Sequence, residues 1–494
     1  MANGKQVILL MTDGTRYDML GCYGNRNMKT PNLDRLAKDG VRFNHAYTTQ
    51  PVCGPARAGI FTGTYPHSCG SFTNSYALGD NVKTLGQRLK DQGIHTAYIG
   101  KFHLDGGDYF GLGRCADGWD EGYWYDMRCY LEELTEEERV RSRQENDTDI
   151  TEDFLFGHRV CTRAVDFLKK HSEEPFFLVV SLDEPHDPSL TPEPYATLYQ
   201  DYEFAKSPNI YDTLEGKPEY QKVWAGKNRT MDRDAVSLKY LNRYLACNSY
   251  ADYELGRVLE AAGLYAPEAM IIYTSDHGEM AQSHCLTMKG PAAYDEIARI
   301  PLLIKGGKRN VTADAPVSHI NLAPTIMEYL GLPIPRRLEG KSILPMLEDP
   351  NLDINHEVYL EFTRYEVDHD GFGGFRPMRT VFDGRYKLTV HLLDQIDELY
   401  DMLEDPCEMR NLIFEEAYYE TARALHEKLL NWMNETRDPF RGYDWELRPW
   451  RKQDTREATW SYTGYTRQRE NEEYEPRQLD YATGLPMESA VRKK

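Results

Sequence analysis

Residues 7–14, VILLMTDG, begin with five apolar residues and end in the polar segment Thr12-Asp13-Gly14. Three more short apolar runs, rich in β-branched or aromatic residues, lie at 96–99, 176–182 and 270–273. Each has the length of a buried strand. Longer stretches with helical spacing lie between them, at 33–38, 85–91, 154–169 and 244–262. Three of these helices are expected to end at Gly40, Gly93 and Gly263. The alternation predicts an α/β fold, with a large mostly parallel sheet sandwiched by helices.

The region after about residue 350 has a different pattern. Three segments predict short strands, at 358–362, 379–381 and 386–390. Asp383-Gly384 supplies a hairpin turn, and a helix is predicted at about 416–434. From residue 441 the chain is rich in Arg, Tyr, Glu and Gln without apolar periodicity. We therefore expect three parts: an α/β domain at 1–350, a smaller α+β domain at 351–440 and an extended arm at 441–494.

The composition indicates a folded globular protein and argues against several classes of partner. The 494 residues are 40% hydrophobic and 28% charged, which is typical of a folded chain with a large core. The net charge of −21 repels phosphate backbones and anionic lipids, so neither nucleic acid nor a membrane is an expected partner. No window approaches the roughly 18 to 20 apolar residues of a membrane span, and no signal-peptide layout precedes the first strand, so a cytoplasmic location is expected. The nine cysteines, an odd number, argue against a disulfide framework.

Polar, chemically useful residues follow each of the four predicted strands. These segments are Thr12-Asp13-Gly14, Gly100-Lys101-Phe102-His103, Asp183-Glu184-Pro185-His186 and Ser275-Asp276-His277-Gly278. Taken singly, each residue has an ordinary explanation as a turn former, a helix cap or a packing histidine. The carboxyl ends of parallel strands meet at one edge of a sheet, however. Four such segments at equivalent positions therefore predict a functional site at that edge.

A fifth segment contains Cys53-Gly54-Pro55-Ala56-Arg57. Pro55 suits the first turn of a helix, which places Cys53 at the amino end of that helix. Free N–H groups and the helix dipole favour an anion there. By chance, a Cys-x-Pro-x-Arg match is expected only about a few hundredths of a time in such a chain.

With these motifs the chain resembles the sulfatase family of the alkaline-phosphatase superfamily. The resemblance is carried by residues 53–57, by the segment GIHTAYIGKFH at 93–103, and by Asp13 and Asp276-His277. Further support comes from TPNLD at 30–34, TGTYPH at 62–67, and ELYD at 398–401 before Asp405-Pro406. It extends from residue 7 to about residue 435 and is closest in pattern to the choline-sulfatase, phosphonate monoester hydrolase and arylsulfatase branch.

The resemblance implies a cofactor set. The cysteine corresponding to Cys53 is converted after synthesis to formylglycine by a formylglycine-generating enzyme, which is therefore an implied partner. Asp13, Asp276 and His277 would hold one divalent metal ion together with the modified Cys53. Oxygen-rich ligation of this kind fits Ca²⁺ first, with Mn²⁺ and Mg²⁺ as alternatives.

The resemblance also implies roles for the remaining site residues. Arg57 would fix the hydrated aldehyde, and Lys101 would neutralise charge on it and on the bound sulfate. His103 would be the base that breaks down the covalent intermediate. His186 and Lys289 would bind substrate at the bridging oxygen, and one or both would donate a proton to the departing alcohol. Lys289 is matched only by its distance from Asp276, so an ordinary solvated lysine is the alternative.

The implied activity is hydrolysis of an organic sulfate monoester, from a small molecule or a saccharide. Many sulfatases carry a second acidic residue at the position of Gly14. The choline-sulfatase and phosphonate monoester hydrolase branch lacks it, as this chain does. A phosphonate monoester or phosphodiester hydrolase is therefore the nearest alternative. More distant alternatives are a two-metal enzyme that adds Asp183, His186 and His284 to the site, and a non-catalytic binding protein with an unmodified Cys53. Substrate choice is expected to lie in the insertions 105–147, 190–235 and 368–376. The arm is expected to form a homo-oligomer contact.

Overall fold

The computed structural model describes residues 5–79, 81–106, 108–144, 149–367 and 374–451. Its larger sheet has eight strands. They are β1 Gln6–Thr12, β2 Val41–Tyr47, β3 His95–Gly100, β4 Phe176–Ser181, β5 Met270–Ser275, β6 Arg299–Lys305, β7 Val311–Ala313 and β8 Val317–Ser318. The order is β3-β4-β1-β5-β6-β2-β7, and β8 also pairs with β2. Strands β3, β4, β1 and β5 are parallel, whereas β6 runs antiparallel to both of its neighbours. The predicted mostly parallel sheet is confirmed.

Twelve α-helices accompany the strands in the described ranges. They are α1 Pro31–Lys38, α2 Cys53–Thr62, α3 Pro66–Cys69, α4 Leu85–Lys90, α5 Met127–Glu133, α6 Glu136–Arg141, α7 Phe156–Lys170, α8 Glu219–Ala225, α9 Leu241–Tyr265, α10 Asp295–Ala298, α11 Leu322–Tyr329 and α12 Tyr419–Glu435. The predicted end of the helix at 244–262 at Gly263 is wrong, because α9 continues to Tyr265. None of the described helices combines the length and the apolar character needed to cross a membrane.

Helices cover both faces of the large sheet because successive side chains of its strands point in opposite directions. On one face, Ile8 and Leu10 of β1 pack in a core with α1, α7 and α9. On the other face, Val7 and Leu9 pack in a core with α2, α4 and α11. All four side chains are fully buried. The sandwich therefore leaves only the edges and ends of the strands for a site.

The smaller sheet is antiparallel and has the order β12-β11-β10-β9. Its strands are β9 Val358–Phe362, β10 Met378–Phe382, β11 Tyr386–His391 and β12 Glu398–Asp401. The first three confirm the predicted strands, and Gly384 makes the predicted turn with a φ of 96°. β12 was not predicted as a strand. Helix α12 packs on this sheet.

The first residues of the predicted arm pack against the small domain. Trp445 is fully buried in its core, and Arg448 pairs with Asp397 at 2.8 Å. Residues 452–494, the rest of the predicted arm, lie outside the described residues, as does 368–373 of the predicted specificity segment.

Candidate active site

The ends of four parallel strands bring the predicted residues together. Asp13 follows β1, Lys101 follows β3, Asp183 follows β4 and Asp276 follows β5. The Lys101 Nζ atom lies 2.7 Å from Asp13 Oδ2 and 2.9 Å from Asp183 Oδ1. Chain segments that are distant in sequence thus share one buried ion-pair network, as the strand-end pattern predicted.

Arg57 lies on the first turns of α2, is fully buried and donates hydrogen bonds to this network. Its Nε atom donates to Asp276 Oδ2 at 3.0 Å, and its Nη2 atom donates to Asp13 Oδ2 at 3.2 Å. Nη1 donates to the Lys101 carbonyl and to Ser181 Oγ. Burial alone would lower the pKa of Arg57, but Asp276 and its other neighbours hold it above its ordinary value. The guanidinium therefore fixes one oxygen of each carboxylate.

The other carboxylate oxygens face Cys53 and His277. Cys53 Sγ lies 3.1 Å from His277 Nε2 and 3.6 Å from Asp13 Oδ1. His277 Nε2 lies 3.5 Å from Asp13 Oδ1 and 3.7 Å from Asp276 Oδ1. These four donor atoms all lie within 4.8 Å of one another and belong to buried residues. We call Asp13, Cys53, Asp276 and His277 the donor quartet.

The hydrogen bond of His277 Nδ1 determines whether the Nε2 atom faces the quartet with a proton or with a lone pair. Its Nδ1 lies 2.7 Å from the Gly278 carbonyl, which can only accept a hydrogen bond. Nδ1 therefore carries the proton in the neutral ring, and the Nε2 lone pair points at the quartet. A histidine held in this way, beside two carboxylates, is a typical metal ligand.

Burial and neighbouring charges shift the pKa values of Asp13, Cys53 and Asp276. Burial and then the charge of Asp13 raise the pKa of Asp276 to about 6. Burial also opposes ionisation of Asp13, but Lys101, His186 and Lys289 hold its pKa well below the ordinary range. Burial and Asp13 disfavour the Cys53 thiolate, yet Lys289, His277 and Lys101 lower the thiol pKa to about 5. Two carboxylates, one imidazole and the side chain at position 53 are donors that a divalent cation can bind.

Gly14 occupies the place where a second acidic residue would stand. Its φ is +82°, a conformation that L side chains rarely adopt, and its N–H donates to Asp276 Oδ1 at 3.1 Å. An added Cβ would lie 3.5 Å from His277 Cε1. A fifth ligand at this position would thus be strained, and the backbone N–H orients Asp276 instead.

His103 lies beside the start of α2 and is 5% exposed. Its carbonyl approaches Gly54, where an added Cβ would lie 3.4 Å away, and its Nδ1 atom has no hydrogen-bond partner among the described residues. Burial, followed by the charges of Lys101 and Arg57, lowers the pKa of His103 to about 3. The imidazole is therefore neutral and can accept a proton only from a group placed against it.

His186 and Lys289 form the other wall of the site. Lys289 Nζ lies 3.3 Å from His186 Nε2, and Lys289 is only 3% exposed. Burial opposes the charge of Lys289, but Cys53, Tyr365 and Asp13 raise its pKa well above the ordinary value. Burial, Lys289 and Lys101 lower the pKa of His186. Lys289 is thus the pair's proton donor, and the alternative of a solvated lysine is wrong.

A cavity of about 230 Å³ opens onto this pair. Asp13, His186, His277 and Lys289 lie in its wall, and the polar residues Asp187, Tyr240, Arg243 and Glu279 complete it. The site is therefore open to a small polar ligand on the side that faces away from Arg57.

Every site residue of the main prediction lies at this edge, whereas one residue of the two-metal alternative does not. His284 lies against Asp212 Oδ2 at 2.6 Å, contacts Lys217 and stacks on Tyr294. Asp183 is already occupied by Lys101. A second metal site built from these residues is therefore wrong.

Three neighbours of the site were not predicted. Ser181 accepts from Arg57, Tyr109 covers Lys101 with its ring 3.9 Å from Nζ, and Asn74 Oδ1 accepts from the Gly54 N–H at 2.9 Å. Ser181 precedes a motif that the sequence did reveal, at the end of β4. Tyr109 and Asn74 lie in loops without a motif of their own, so no local signal marks them.

Comparison with family models gives two matches. The sulfatase model matches residues 5–332, and the model for the C-terminal part of N-sulphoglucosamine sulphohydrolase matches residues 290–435. The chain is 44% identical over 494 residues to YidJ, an uncharacterized sulfatase of Escherichia coli (strain K12), with 97% of this chain and 96% of YidJ covered.

Solved structures show the same fold. BT4656 in complex with its substrate D-glucosamine-2-N,6-O-disulfate has a TM-score of 0.73 at 21% identity, over 89% of this chain and 99% of that one. Phosphonate monoester hydrolase of Agrobacterium radiobacter has a TM-score of 0.71 at 22% identity, over 87% and 96%. The fold and the paired family models agree with the architecture described above.

Proposed function

The chain belongs to the sulfatase family, a family of sulfuric ester hydrolases, and from that premise we propose that it hydrolyses an organic sulfate monoester to an alcohol and inorganic sulfate through formylglycine made from Cys53. The observation that carries the proposal is the buried donor quartet, with Arg57 and Lys101 on one side and the His186–Lys289 pair on the other.

Two groups complete the site on this proposal. Asp13, Asp276, His277 and the modified side chain at position 53 hold one divalent ion, Ca²⁺ first and Mn²⁺ or Mg²⁺ as alternatives. When bound, the ion supplies Lewis-acid stabilisation of a sulfuryl oxygen. Formylglycine, made by a formylglycine-generating enzyme, supplies as its hydrate a nucleophilic hydroxyl and a second hydroxyl that later allows sulfate to be expelled.

The cations of the chain prepare the site for an anion. Arg57 orients Asp13 and Asp276, and its position at the start of α2 lets it hold the side chain at position 53. Lys101 has one face on Asp13 and Asp183, so its charge is fixed where sulfate oxygens would lie. Fixed donors of this kind stabilise charge that develops in the transition state.

Proton movement falls to the histidines and Lys289. Lys289 Nζ, protonated and 3.3 Å from His186 Nε2, donates to the bridging oxygen as the alcohol leaves, directly or through His186. His103, neutral and without a partner at Nδ1, accepts the proton when the sulfated enzyme breaks down.

The test has two measurements on the same preparation. Mass spectrometry of the peptide that contains residue 53 should show the loss of sulfur on conversion to formylglycine, and metal analysis should give one ion per chain. Turnover of an aryl sulfate should depend on both. If residue 53 remains a thiol in active enzyme, the proposal is wrong; an unmodified, inactive protein favours a non-catalytic binding role.

A saccharide sulfate is the substrate class we propose. BT4656, which shares the fold, is bound to a glucosamine disulfate, and the cavity beside His186 is lined by the polar residues Asp187, Arg243 and Glu279. A panel of sugar, steroid, phenol and choline sulfates would rank the alcohols. Preference for choline or a steroid would contradict this part of the proposal.

The second candidate is a phosphonate monoester or phosphodiester hydrolase. Gly14 favours it because the quartet lacks a second acidic residue at that position, and a phosphonate monoester hydrolase shares the fold. Relative kcat/KM on matched aryl sulfate and aryl phosphonate esters separates the two candidates.

The C-terminal arm is proposed to join subunits of a homo-oligomer. Because residues 441–451 pack in the small domain, the clean test deletes 452–494 only. A smaller mass in solution with unchanged folding is expected. An unchanged oligomer would contradict this role.

A further inference from the structure

A second group of metal-ligand side chains lies at the opposite end of the large sheet from the donor quartet. His95 is the first residue of β3, Glu174 lies two residues before β4, and His171 directly follows α7. Strands β3 and β4 carry Lys101 and Asp183 at their other ends. The group is thus separate from the site already described and plays no part in the proposed hydrolysis.

The three side chains converge on one point. His95 Nδ1 lies 3.0 Å from Glu174 Oε1, and His171 Nδ1 contacts the same oxygen. The donor atoms of the three residues lie within 4.8 Å of one another. The imidazole rings meet edge to face at 85°, and Phe167 packs against both, with ring centroids 5.2 and 4.7 Å away. Packing therefore fixes both rings with their Nδ1 atoms turned towards Glu174.

The outer nitrogens are held as well. His95 Nε2 lies 2.6 Å from Asp120 Oδ2, and His171 Nε2 lies 3.0 Å from the Tyr123 hydroxyl. A neutral imidazole carries a single N–H, and a carboxylate can only accept. With a carboxylate at each nitrogen, neutral His95 leaves one lone pair facing an oxygen lone pair. A positive charge at Nδ1, either a second proton or a metal ion bound beside Glu174, removes that conflict, while Nε2–H donates to Asp120.

This is the arrangement that metal-binding histidines adopt, with the distal nitrogen donating to a carboxylate. The His95, His171 and Glu174 side chains are 20%, 23% and 45% exposed, so an ion can reach them from solvent. Two imidazoles and one carboxylate suit a borderline transition ion better than Ca²⁺, which prefers oxygen ligands.

A third His-carboxylate group shows the difference. Glu152, His158 and Glu254 also lie close together, but Arg257 Nη1 is 3.2 Å from His158 Nδ1 and 2.5 Å from Glu254 Oε2. The chain itself supplies the positive charge there. That group offers a matched control, because it has the same residue types on the same protein without a place for an ion.

We propose that His95, His171 and Glu174 bind a divalent transition-metal ion, with Zn²⁺ as the probe, and that Asp120 and Tyr123 orient the two rings. The bound ion ties the starts of β3 and β4 to the end of α7. It is a stabilising site, because ligands that bind only the folded chain raise its stability.

The experiment uses the full chain with excess Ca²⁺, titrated with Zn²⁺ by calorimetry and by thermal unfolding. Wild type should bind one more Zn²⁺ than Glu174→Gln, or bind it at least about 10-fold more tightly, and Asp120→Asn should weaken binding by about 10-fold. His158→Gln should behave as wild type. Any Zn²⁺ that enters the donor quartet does so equally in all four proteins and cancels.

Glu174→Gln keeps the size of the side chain, and an unchanged midpoint of thermal unfolding without added Zn²⁺ would verify its fold. A second readout replaces Zn²⁺ with Co²⁺, whose visible absorption should appear in wild type and be lost in Glu174→Gln. Equal stoichiometry and affinity in wild type and Glu174→Gln, or loss of binding in His158→Gln, would overturn the proposal. Neither result depends on whether the protein hydrolyses sulfate esters.

Discussion

Two buried clusters of charge in this protein use the same residue types in different ways. In the first, Arg57 and Lys101 contact Oδ2 of Asp13 and Oδ2 of Asp276, and the opposite oxygens face Cys53 and His277. The second joins the two sheets: Lys387 of β11 lies 2.7 Å from Asp295 Oδ1 and 2.9 Å from Glu408 Oε1.

The difference is in what remains unpaired. In the second cluster the Asp295 N–H donates to Glu408 Oε2 at 2.8 Å, and Arg299 Nη1 contacts Asp295 Oδ2 at 3.4 Å, so protein donors surround both carboxylates. In the first cluster Arg57 binds Oδ2 of both carboxylates and backbone N–H groups bind Asp276 Oδ1, but Asp13 Oδ1 faces Cys53 and His277. A buried carboxylate pair is structural when protein donors bind its oxygens, and we call the cluster of Lys387, Asp295 and Glu408 the clamp. A pair can form a binding site when the chain leaves an oxygen for a ligand.

The largest expected effect separates the two kinds of buried cysteine. Cys53→Ala should reduce aryl sulfate turnover by at least about 10³-fold, because the nucleophile is lost, with little change in the midpoint of thermal unfolding. Cys69 is also buried, and burial raises the pKa of its thiol to about 12. Cys69→Ala should keep turnover. Substantial turnover in Cys53→Ala would contradict the assignment of residue 53 as the source of the nucleophile.

Removing the clamp cation should have the opposite outcome. Lys387→Met leaves Asp295 and Glu408 without their shared partner, so the apparent free energy of unfolding should fall by about 3–5 kcal/mol. Urea unfolding gives that value, and kcat per folded molecule should be unchanged. Lys101→Met, its counterpart in the first cluster, should lose turnover. If Lys387→Met were also inactive while folded, the clamp would belong to the site.

Lys289→Ala sharpens the comparison on the open side of the first cluster. Loss of the proton donor should slow hydrolysis of sugar or alkyl sulfates by about 10²-fold. Aryl sulfates with acidic phenols should change far less, because their leaving groups need no proton. A series of aryl sulfates plotted against phenol pKa measures this. Met288→Ala, at the exposed neighbour, is the control, and an equal loss on all substrates would contradict a proton-donor role.

The smallest effect concerns pH and the small domain. Arg451 Nη1 donates to His426 Nδ1 at 2.9 Å, and His426 Nε2 donates to the Trp445 carbonyl at 2.9 Å, so the ring is locked neutral. Burial and then Arg451 lower its pKa to about 3. Between pH 3 and the ordinary value near 6.5 the unfolded chain binds more protons, so stability rises with pH and is lost as pH falls.

From pH 7 to pH 5 this histidine should cost about 2 kcal/mol of unfolding free energy. His426→Gln should flatten the dependence by that amount without changing kcat. His103→Gln, at the other buried neutral histidine, should flatten it as well but reduce turnover. Equal slopes in His426→Gln and wild type would show that His426 binds protons equally in the folded and the unfolded chain, which would contradict its lowered pKa.

The sequence predicted the parallel half of the large sheet because β1, β3, β4 and β5 each contain a short run that is mostly apolar, β-branched or aromatic. It did not reveal β2 or β6. β2 alternates poorly and has an irregularity between Phe43 and Ala46, and β6 contains Pro301, which normally argues against a central strand. Gly263 does not end α9, since nothing lies within 4 Å of its missing side chain and the helix simply continues.

The site was predictable to the extent that its residues follow strands or lie in the Cys53–Arg57 motif. Which oxygen of Asp13 and of Asp276 contacts Arg57 could not be predicted, because it depends on the side-chain rotamers of the two residues. Tyr109 and Asn74 reach the site across loops, and only the tertiary structure brings them there.

The depth of position 53 has a consequence for how the mature protein can be made. Cys53 is 1% exposed, begins a helix, and contacts Asp13 and His277 at the ends of two strands. A modifying enzyme cannot reach a side chain that is enclosed in this way while the domain stays folded. On our proposal the oxidation is therefore completed on the nascent or unfolded chain. Supplying the modifying enzyme after folding leaves the thiol in place for the lifetime of the molecule.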